Sequence, residues 1–330
     1  MEGTRTWSTR PPGDPRSMRP LLIATPGGHL TQLLSLAPRL GIDADAAMWV
    51  SIPTAQSRSV LADRDVVWAR YGRPRDLRAL AQHLLLARRT LRREQFSVAI
   101  STGASLAPPF LAAAGTARVP AHYIESATRV AGPSFAGRLV SRLPGVTVYS
   151  QYPSWASGRW KYGGNILDGW DSVEQHVQPC IRTVFVTVGS ARGFPFSRML
   201  DAVKRVIPEG CTVTWQIGDA DGTALPGRHL QEMTPGQVRT AIETSDVVIS
   251  HAGTGSVVSC LEAGRCPVII PRSAEHGEHV DDHQRELASM LADRGLAIVR
   301  SPDDLGTADL NAAAMLRVVR SEAVPFRLAI

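Results

Sequence analysis

Short apolar runs alternate with longer stretches of helical periodicity along this chain, and the alternation occurs twice with a break between the two passes. In the first pass, "PLLIAT" (20–25), "AAMWVSI", "DVVWAR", "FSVAIST", "VPAHYIES" and "VTVYS" (146–150) read as strands. Between them, "HLTQLLSLAPRL" (29–40), "RDLRALAQHLLLARRTLRRE" (75–94) and "ASLAPPFLAAAGT" carry the leucine and alanine spacing of helices. The second pass repeats the pattern from "RTVFVTVGS" through "CTVTWQIG", "DVVIS", "CPVIIP" and "LAIVR", with a last helix expected over "DDLGTADLNAAAMLRVVR". Such alternation specifies parallel sheets covered by helices on both faces. The predicted fold class is α/β, with two Rossmann-like, doubly wound domains facing a cleft.

Boundaries follow from where the pattern stops. Residues 1–18, rich in Arg and Pro, are expected as a disordered tail. Residues 19–150 form the first domain, 151–181 a connection in which Gly, Pro and Trp cluster without period, 182–320 the second domain, and 321–330 a tail. A chain of 330 residues suits two domains of about 150 residues each. No stretch approaches the roughly 18–20 uninterrupted apolar residues that span a bilayer. The first 18 residues lack the apolar segment of a secretory signal, so a cytoplasmic location is expected. The four cysteines show no CxxC spacing and read as buried thiols rather than metal ligands or disulfides.

Charge is divided unevenly. Residues 1–150 hold 19 Arg and no Lys against 9 acidic residues, whereas the second half is slightly acidic. A basic half suits an anionic partner: nucleic acid, a phospholipid surface or a phosphorylated substrate. Nucleic acid is disfavoured, because no aromatic interleaving and no RNA-binding or zinc-finger signature occurs. A solvated arginine-rich surface is the plainer alternative. The helix at 75–94 carries Leu84, Leu85 and Leu86 beside Arg88, Arg89, Arg92 and Arg93. It could lie on an anionic bilayer, or pack on the sheet with a solvated basic edge.

Three glycine-containing loops sit where a strand meets a helix: "TPGGHL" (25–30), "TVGSARG" (187–193) and "SHAGTGS" (250–256). Glycine lets backbone amides approach an oxyanion, and the helix that follows presents unpaired N–H groups and the positive end of its dipole. The repetition at equivalent positions points to phosphate. No loop continues into GK[ST], and none is a GxGxxG with an acidic residue ending the next strand, which disfavours ATP hydrolysis and NAD chemistry. "GEHVDDHQ" (277–284) is the densest polar cluster. Asp281, Asp282, His283 and Gln284 could bind a polyhydroxyl ligand; helix capping explains one Asp but not the others. His279 and His283 have the i, i+4 spacing of a metal pair, but no third ligand accompanies them, and no metal site is expected.

"VFVTVGS", "SDVVISHAGTGS", "LEAGRCPVIIPR" and "GEHVDDHQRELA" together resemble the C-terminal donor-binding domain of glycosyltransferase family 28, which includes MurG. "PGGHLTQLLSL", "AISTGASLAPPFLAAA" and "HYIESATRV" are similar to motifs of the membrane-recruiting subunit in the two-subunit enzyme that adds the second GlcNAc to dolichol-diphosphate-GlcNAc. "PR" followed by "GEHVDDHQ" looks closest to bacterial exopolysaccharide and capsule transferases, here with both halves fused. The resemblance covers about residues 20–300. It implies a GT-B fold and an inverting transfer from a UDP-sugar, with no cofactor and no essential metal. The implied acceptor is a polyprenyl-diphosphate-linked saccharide at the inner face of the membrane.

The resemblance also implies roles. Gly253, Thr254, Gly255 and Ser256 would hold the donor diphosphate, with Gly189, Ser190, His251 and His279 in the same donor site. Residues near Leu230 to Met233 would contact uracil through their backbone. Asp282, His283 and Gln284 would bind sugar hydroxyls. Gly27, Gly28, Thr102, Gly103 and Arg129 would bind acceptor. His29 is the expected catalytic base and Glu125 the second choice. Many relatives place a ribose-binding Glu where this chain has Ser259, and Glu262 lies one turn further on. Two other readings stay open: a UDP-sugar 2-epimerase on the same fold, and a non-catalytic nucleotide-sugar-binding subunit.

Overall fold

A computed structural model of the chain describes residues 18–72, 76–176, 180–189, 193–279, 282–322 and 325–328. The chain divides into two compact units, residues 1–168 with 323–330, and residues 169–322. Most of the expected N-terminal tail lies outside the described residues.

The first unit runs β1 (Arg19–Ile23), α1 (Gly28–Leu36), β2 (Met48–Ser51), α2 (Ala55–Val60), β3 (Asp65–Trp68) and α3 (Leu77–Arg93). It continues through β4 (Phe96–Ser101), α4 (Ala107–Thr116), β5 (Ala121–Ile124), α5 (Phe135–Val140), β6 (Val146–Ser150) and β7 (Trp160–Tyr162). Its seven strands are all parallel, in the order β3-β2-β1-β4-β5-β6-β7.

The second unit runs β8 (Trp170–Glu174), β9 (Thr183–Thr187), α6 (Ser197–Val206), β10 (Thr212–Gln216), β11 (Arg228–Leu230), α7 (Pro235–Thr244) and β12 (Val247–His251). It ends with α8 (Thr254–Glu262), β13 (Val268–Ile270), α9 (His283–Asp293), β14 (Ile298–Val299), α10 (Thr307–Ala314) and β15 (Leu316–Arg320). Its parallel sheet has the order β11-β10-β9-β12-β13-β14.

Both sheets are buried on two faces, so the middles of their central strands are apolar at successive positions rather than at alternate ones. In β9 and β12, Val184, Val186, Val247 and Ile249 enter one core with Met199, Leu200 and Trp215. Phe185 and Val248 point the other way, onto Ile242 and Cys260. In the first unit Leu21, Ile23, Ala99 and Val148 pack against Phe110, Leu111 and Ala114 of α4.

In each unit the winding reverses once, between β1 and β4 and between β9 and β12. Loops leaving adjacent strands there diverge to opposite faces and leave a crevice at the strand ends. All three glycine loops leave one of these four strands. The topology therefore places them where ligands of doubly wound sheets bind.

Several boundaries differ from expectation. The helix expected at 29–40 stops at Leu36, and Pro38–Leu40 forms a single 3₁₀ turn, because proline cannot donate to a helical ladder. The expected connection is structured in part. Trp160–Tyr162 extends the first sheet, and Trp170–Glu174 pairs antiparallel with Leu316–Arg320. The last helix ends at Ala314 rather than near Arg320. Its expected final turn is a strand, with Val318 buried and Val319 exposed on opposite faces, and with Arg320 3.7 Å above the Trp170 ring. Past residue 322 the chain returns to the first unit. There Phe326 is buried, with its ring edge-on to Tyr149 and against Gly163. Cys260 and Cys266 are buried thiols as expected, whereas Cys180 is exposed.

Candidate functional site

In the second unit β12 delivers His251 directly to the start of α8. Gly253 occupies the N-cap, no side chain caps the helix, and the first ladder bond runs from Val257 N to Gly253 O. The amides of Thr254, Gly255 and Ser256 consequently lie outside the helical ladder at the positive end of the helix.

The glycines of two loops are explained by one side chain. A Cβ on Gly189 would meet Cε1 and Nε2 of His251, and a Cβ on Gly253 would meet Nε2 of the same ring. Gly189 also has φ +78°, a left-handed conformation that favours glycine. The imidazole is thus a spacer that sets the loop after β9 and the loop after β12 side by side. Burial, reinforced by the nearby Arg272 charge, pushes His251 down to about 3, so it is neutral near pH 7. Its buried Nδ1 has no hydrogen-bond partner among the described residues, and neither has the buried Thr254 Oγ1. Buried polar atoms left unpaired are uncommon and costly. Two of them near one helix N-terminus make this a candidate ligand site.

The polar cluster at 277–284 is largely engaged in holding its own backbone. Gln284 is buried, and its Oε1 accepts from Arg272 N (3.1 Å). Asp282 accepts from Ala274 N (3.0 Å). Glu278 is buried and accepts from Ser273 N (2.9 Å) and from two nitrogens of Arg198. The His279 ring stacks on Phe194 and meets His283 edge-on at 4.6 Å. Among the described residues no group of three His, Cys, Asp or Glu is placed to hold a metal ion. Ser190 and Asp281 lie outside the described residues. The Ser259 hydroxyl donates to Gly255 O one turn back (2.9 Å), which leaves it able to accept but not to donate. Met233 packs over Ile242 and Phe185. The chain just before it is fixed by Ile217 N and Gly218 N donating to Leu230 O and Gln231 O.

The first unit brings His29, Thr102 and Gly103 together. His29 Nδ1 lies 2.7 Å from Thr102 O, and Thr102 Oγ1 donates to His29 O (2.8 Å). A carbonyl can only accept, so Nδ1 carries a proton in this bond. A Cβ on Gly103 would come within 2.8 Å of His29 Cε1, and Gly103 has φ +127°. Gly27, the N-cap of α1, has φ +87° and donates its amide to Gln56 Oε1 (2.6 Å).

Glu125 sits differently. It is almost fully buried and accepts from Tyr123 Oη, Ser126 N, Ser134 N and Ser134 Oγ. Burial raises its pKa, and those four bonds oppose the rise. With its oxygens committed, it anchors the loop at 126–134, which includes Arg129. Gln32, which sequence reasoning missed, supports the same loop: it donates to Ser126 Oγ and accepts from Ala127 N. Its position three residues after His29, one turn along the same helix, was the available signal.

Residues 183–310 match the model of the glycosyltransferase family 28 C-terminal domain. The match falls within the second unit. Around it the whole chain is 25% identical over 307 residues to a UDP-N-acetylglucosamine–N-acetylmuramyl-(pentapeptide) pyrophosphoryl-undecaprenol N-acetylglucosamine transferase of Parasynechococcus marenigrum, covering 86% of this chain and 83% of that one. A shorter match, 44% identical over 61 residues, relates it to the UDP-N-acetylglucosamine transferase subunit ALG13 of Cryptococcus neoformans, over 18% of this chain and 30% of that one. Among solved structures, Acinetobacter baumannii MurG superposes with a TM-score of 0.54 at 21% identity, over 89% of each chain. The glycosyltransferase SnogD from Streptomyces nogalater gives 0.59 at 18% identity, over 91% of this chain and 92% of that one. The fold is GT-B. Within the matched region the α8 N-terminus, His251 and Gly189 form the candidate donor site.

Proposed function

We propose that this protein is an inverting glycosyltransferase that moves a sugar from a UDP-sugar to a polyprenyl-diphosphate-linked saccharide during exopolysaccharide or capsule synthesis. The observation that carries the reading is the α8 N-terminus with its two buried, unpartnered atoms, His251 Nδ1 and Thr254 Oγ1. Three amides at a positive helix end, with two side-chain groups in want of partners, suit a diphosphate. Relatives named for UDP-N-acetylglucosamine and for a pyrophosphoryl-undecaprenol acceptor support the substrate classes. In the transfer, the acceptor hydroxyl attacks the anomeric carbon opposite UDP. The bond to the β-phosphate oxygen breaks with its electron pair on that oxygen, and the hydroxyl proton passes to His29 Nε2. The α8 N-terminus stabilises the charge gained by UDP, so the step needs no metal.

The first test is calorimetric titration with UDP, GDP and dTDP on the wild type and Thr254→Val. UDP-selective binding, weakened about tenfold or more in the variant, is expected from loss of one hydrogen bond to a charged group. The same substitution removes a buried unpaired hydroxyl, so the ligand-free variant should melt no lower than the wild type. Absence of nucleotide binding by the wild type would end the donor-site reading.

We place the enzyme peripherally at the inner membrane face, with the first unit towards the lipid. Among the described residues no helix is long and apolar enough to cross a membrane. Helix α3 buries Ala79, His83, Ala87 and Thr90, and Leu84 and Leu86 pack on the core. Its opposite side exposes Leu77, Leu80 and Leu85 with Arg88, Arg89, Arg92 and Arg93. Exposed leucines between arginines suit an anionic headgroup layer. Flotation with vesicles containing anionic phospholipid should carry the protein at low salt, less at high salt, and less with Leu85→Glu. Indifference to anionic vesicles at low salt would exclude this placement.

A further inference from the structure

The guanidinium of Arg272 is a buried cation bonded to Val188 O, the residue before Gly189. The side chain has no solvent exposure. Nη2 donates to Val188 O (2.7 Å), and Nη1 donates to Phe194 O (2.6 Å) and Glu278 O (3.1 Å). The plane lies 4.7 Å from the Phe196 ring centre, and the buried Nε has no hydrogen-bond partner among the described residues.

All of its bonds are to neutral carbonyls. The nearest carboxylate in the network, Glu278, is taken by both nitrogens of Arg198 and by Ser273 N. A buried cation needs a paired anion or it is expensive to keep. Here the hydrogen bonds come only from dipoles, and the single carboxylate whose charge Arg272 feels, Glu278, is shared with Arg198; burial pulls Arg272 down to about 10, still charged near neutrality. The position of the charge is specific. Val188 and Phe194 stand at the two ends of the segment after β9, and the ring of His251, which spaces that segment from α8, feels the Arg272 charge.

We infer that Arg272 is a positioning residue whose only partly neutralised charge makes this site select a nucleoside diphosphate over the monophosphate. The inference rests on the α8 end being the donor site. It goes further in assigning the second phosphate to a cation that need not touch it. Charge acts over several ångströms in a buried, poorly screened setting, and a diphosphate brings more compensating charge than a monophosphate. The same charge favours UDP as a leaving group when the anomeric bond breaks.

The test compares UDP and UMP titrations on the full-length wild type, Arg272→Lys and Arg272→Met, with circular dichroism as the check on folding. The wild type should prefer UDP. Arg272→Met should reduce that preference about tenfold or more, mainly through weaker UDP binding, because a buried charge interaction of this kind is worth on the order of a tenfold change. Arg272→Lys keeps the charge but not the fork, and should retain most of the preference even if overall affinity falls. A purely architectural arginine would lower both affinities together and leave their ratio unchanged in every variant; that result would overturn the inference while leaving the donor site intact. Should Arg272→Met not fold, the lysine variant decides alone: a ratio lost despite the retained charge rejects the proposal. A wild type that binds neither nucleotide would remove the donor-site reading and this inference with it.

Discussion

His29→Ala should lower transfer by about 10²- to 10⁴-fold, the span usual for loss of a positioned general base, while UDP affinity changes by less than about twofold. The split is expected because His29 belongs to the first unit and the diphosphate site to the second. The reciprocal pair of bonds between His29 and Thr102 fixes both the ring orientation and the tautomer. UDP release from a UDP-sugar, measured with saturating undecaprenyl-diphosphate-linked saccharide, reads the effect. Glu125→Gln in the same assay is the contrast, since its four hydrogen bonds make it a brace for the loop at 126–134. Near wild-type turnover by His29→Ala would dismiss it as the base.

Gly253→Ala should be strongly damaging to the second unit. The new Cβ and Nε2 of His251 would occupy the same space, and Gly189 also lies close to that ring. Overpacking of a tight core commonly costs about 1–3 kcal/mol. Here the displaced ring also misaligns two loops, so UDP binding should become undetectable. The double variant Gly253→Ala/His251→Ala discriminates this account. Removing the ring should recover most of the stability lost, giving a coupling of about 1–3 kcal/mol in a denaturant-melting cycle. Additive losses would show that the glycine is required for some other reason.

The sequence was most legible where one physical demand repeated. Strands such as Thr183–Thr187 and Val247–His251 had to be apolar on both faces, and the three glycine loops sit at the winding reversals that the alternating pattern implied. His29 and Thr102, from motifs 73 residues apart, meet through two hydrogen bonds, and Gly103 lies against the His29 ring. What stayed hidden depended on partners distant in sequence. The segment Leu316–Arg320 reads as helix until Trp170–Glu174 is there to pair with it. Gln284 reads as a ligand-binding amide until the backbone of Arg272 claims its oxygen. Glu125 reads as a base until Ser134 folds back over it. Arg272 stands in one of the motifs, but its hydrogen bonding to carbonyls alone is visible only in three dimensions. Propensity and period report local preferences, whereas this strand and these three residues are defined by what arrives from elsewhere in the chain.

Phe326 carries an implication for how the protein is made. Its ring closes the core of the first unit beside Tyr149 and Gly163, although more than 150 residues of the second unit are synthesised between residue 168 and residue 323. On the ribosome the first unit must therefore wait, assembled but for its final plug, while the whole second unit emerges and folds. Its exposed arginines, well in excess of its acidic residues, would help keep that unfinished intermediate soluble through the delay.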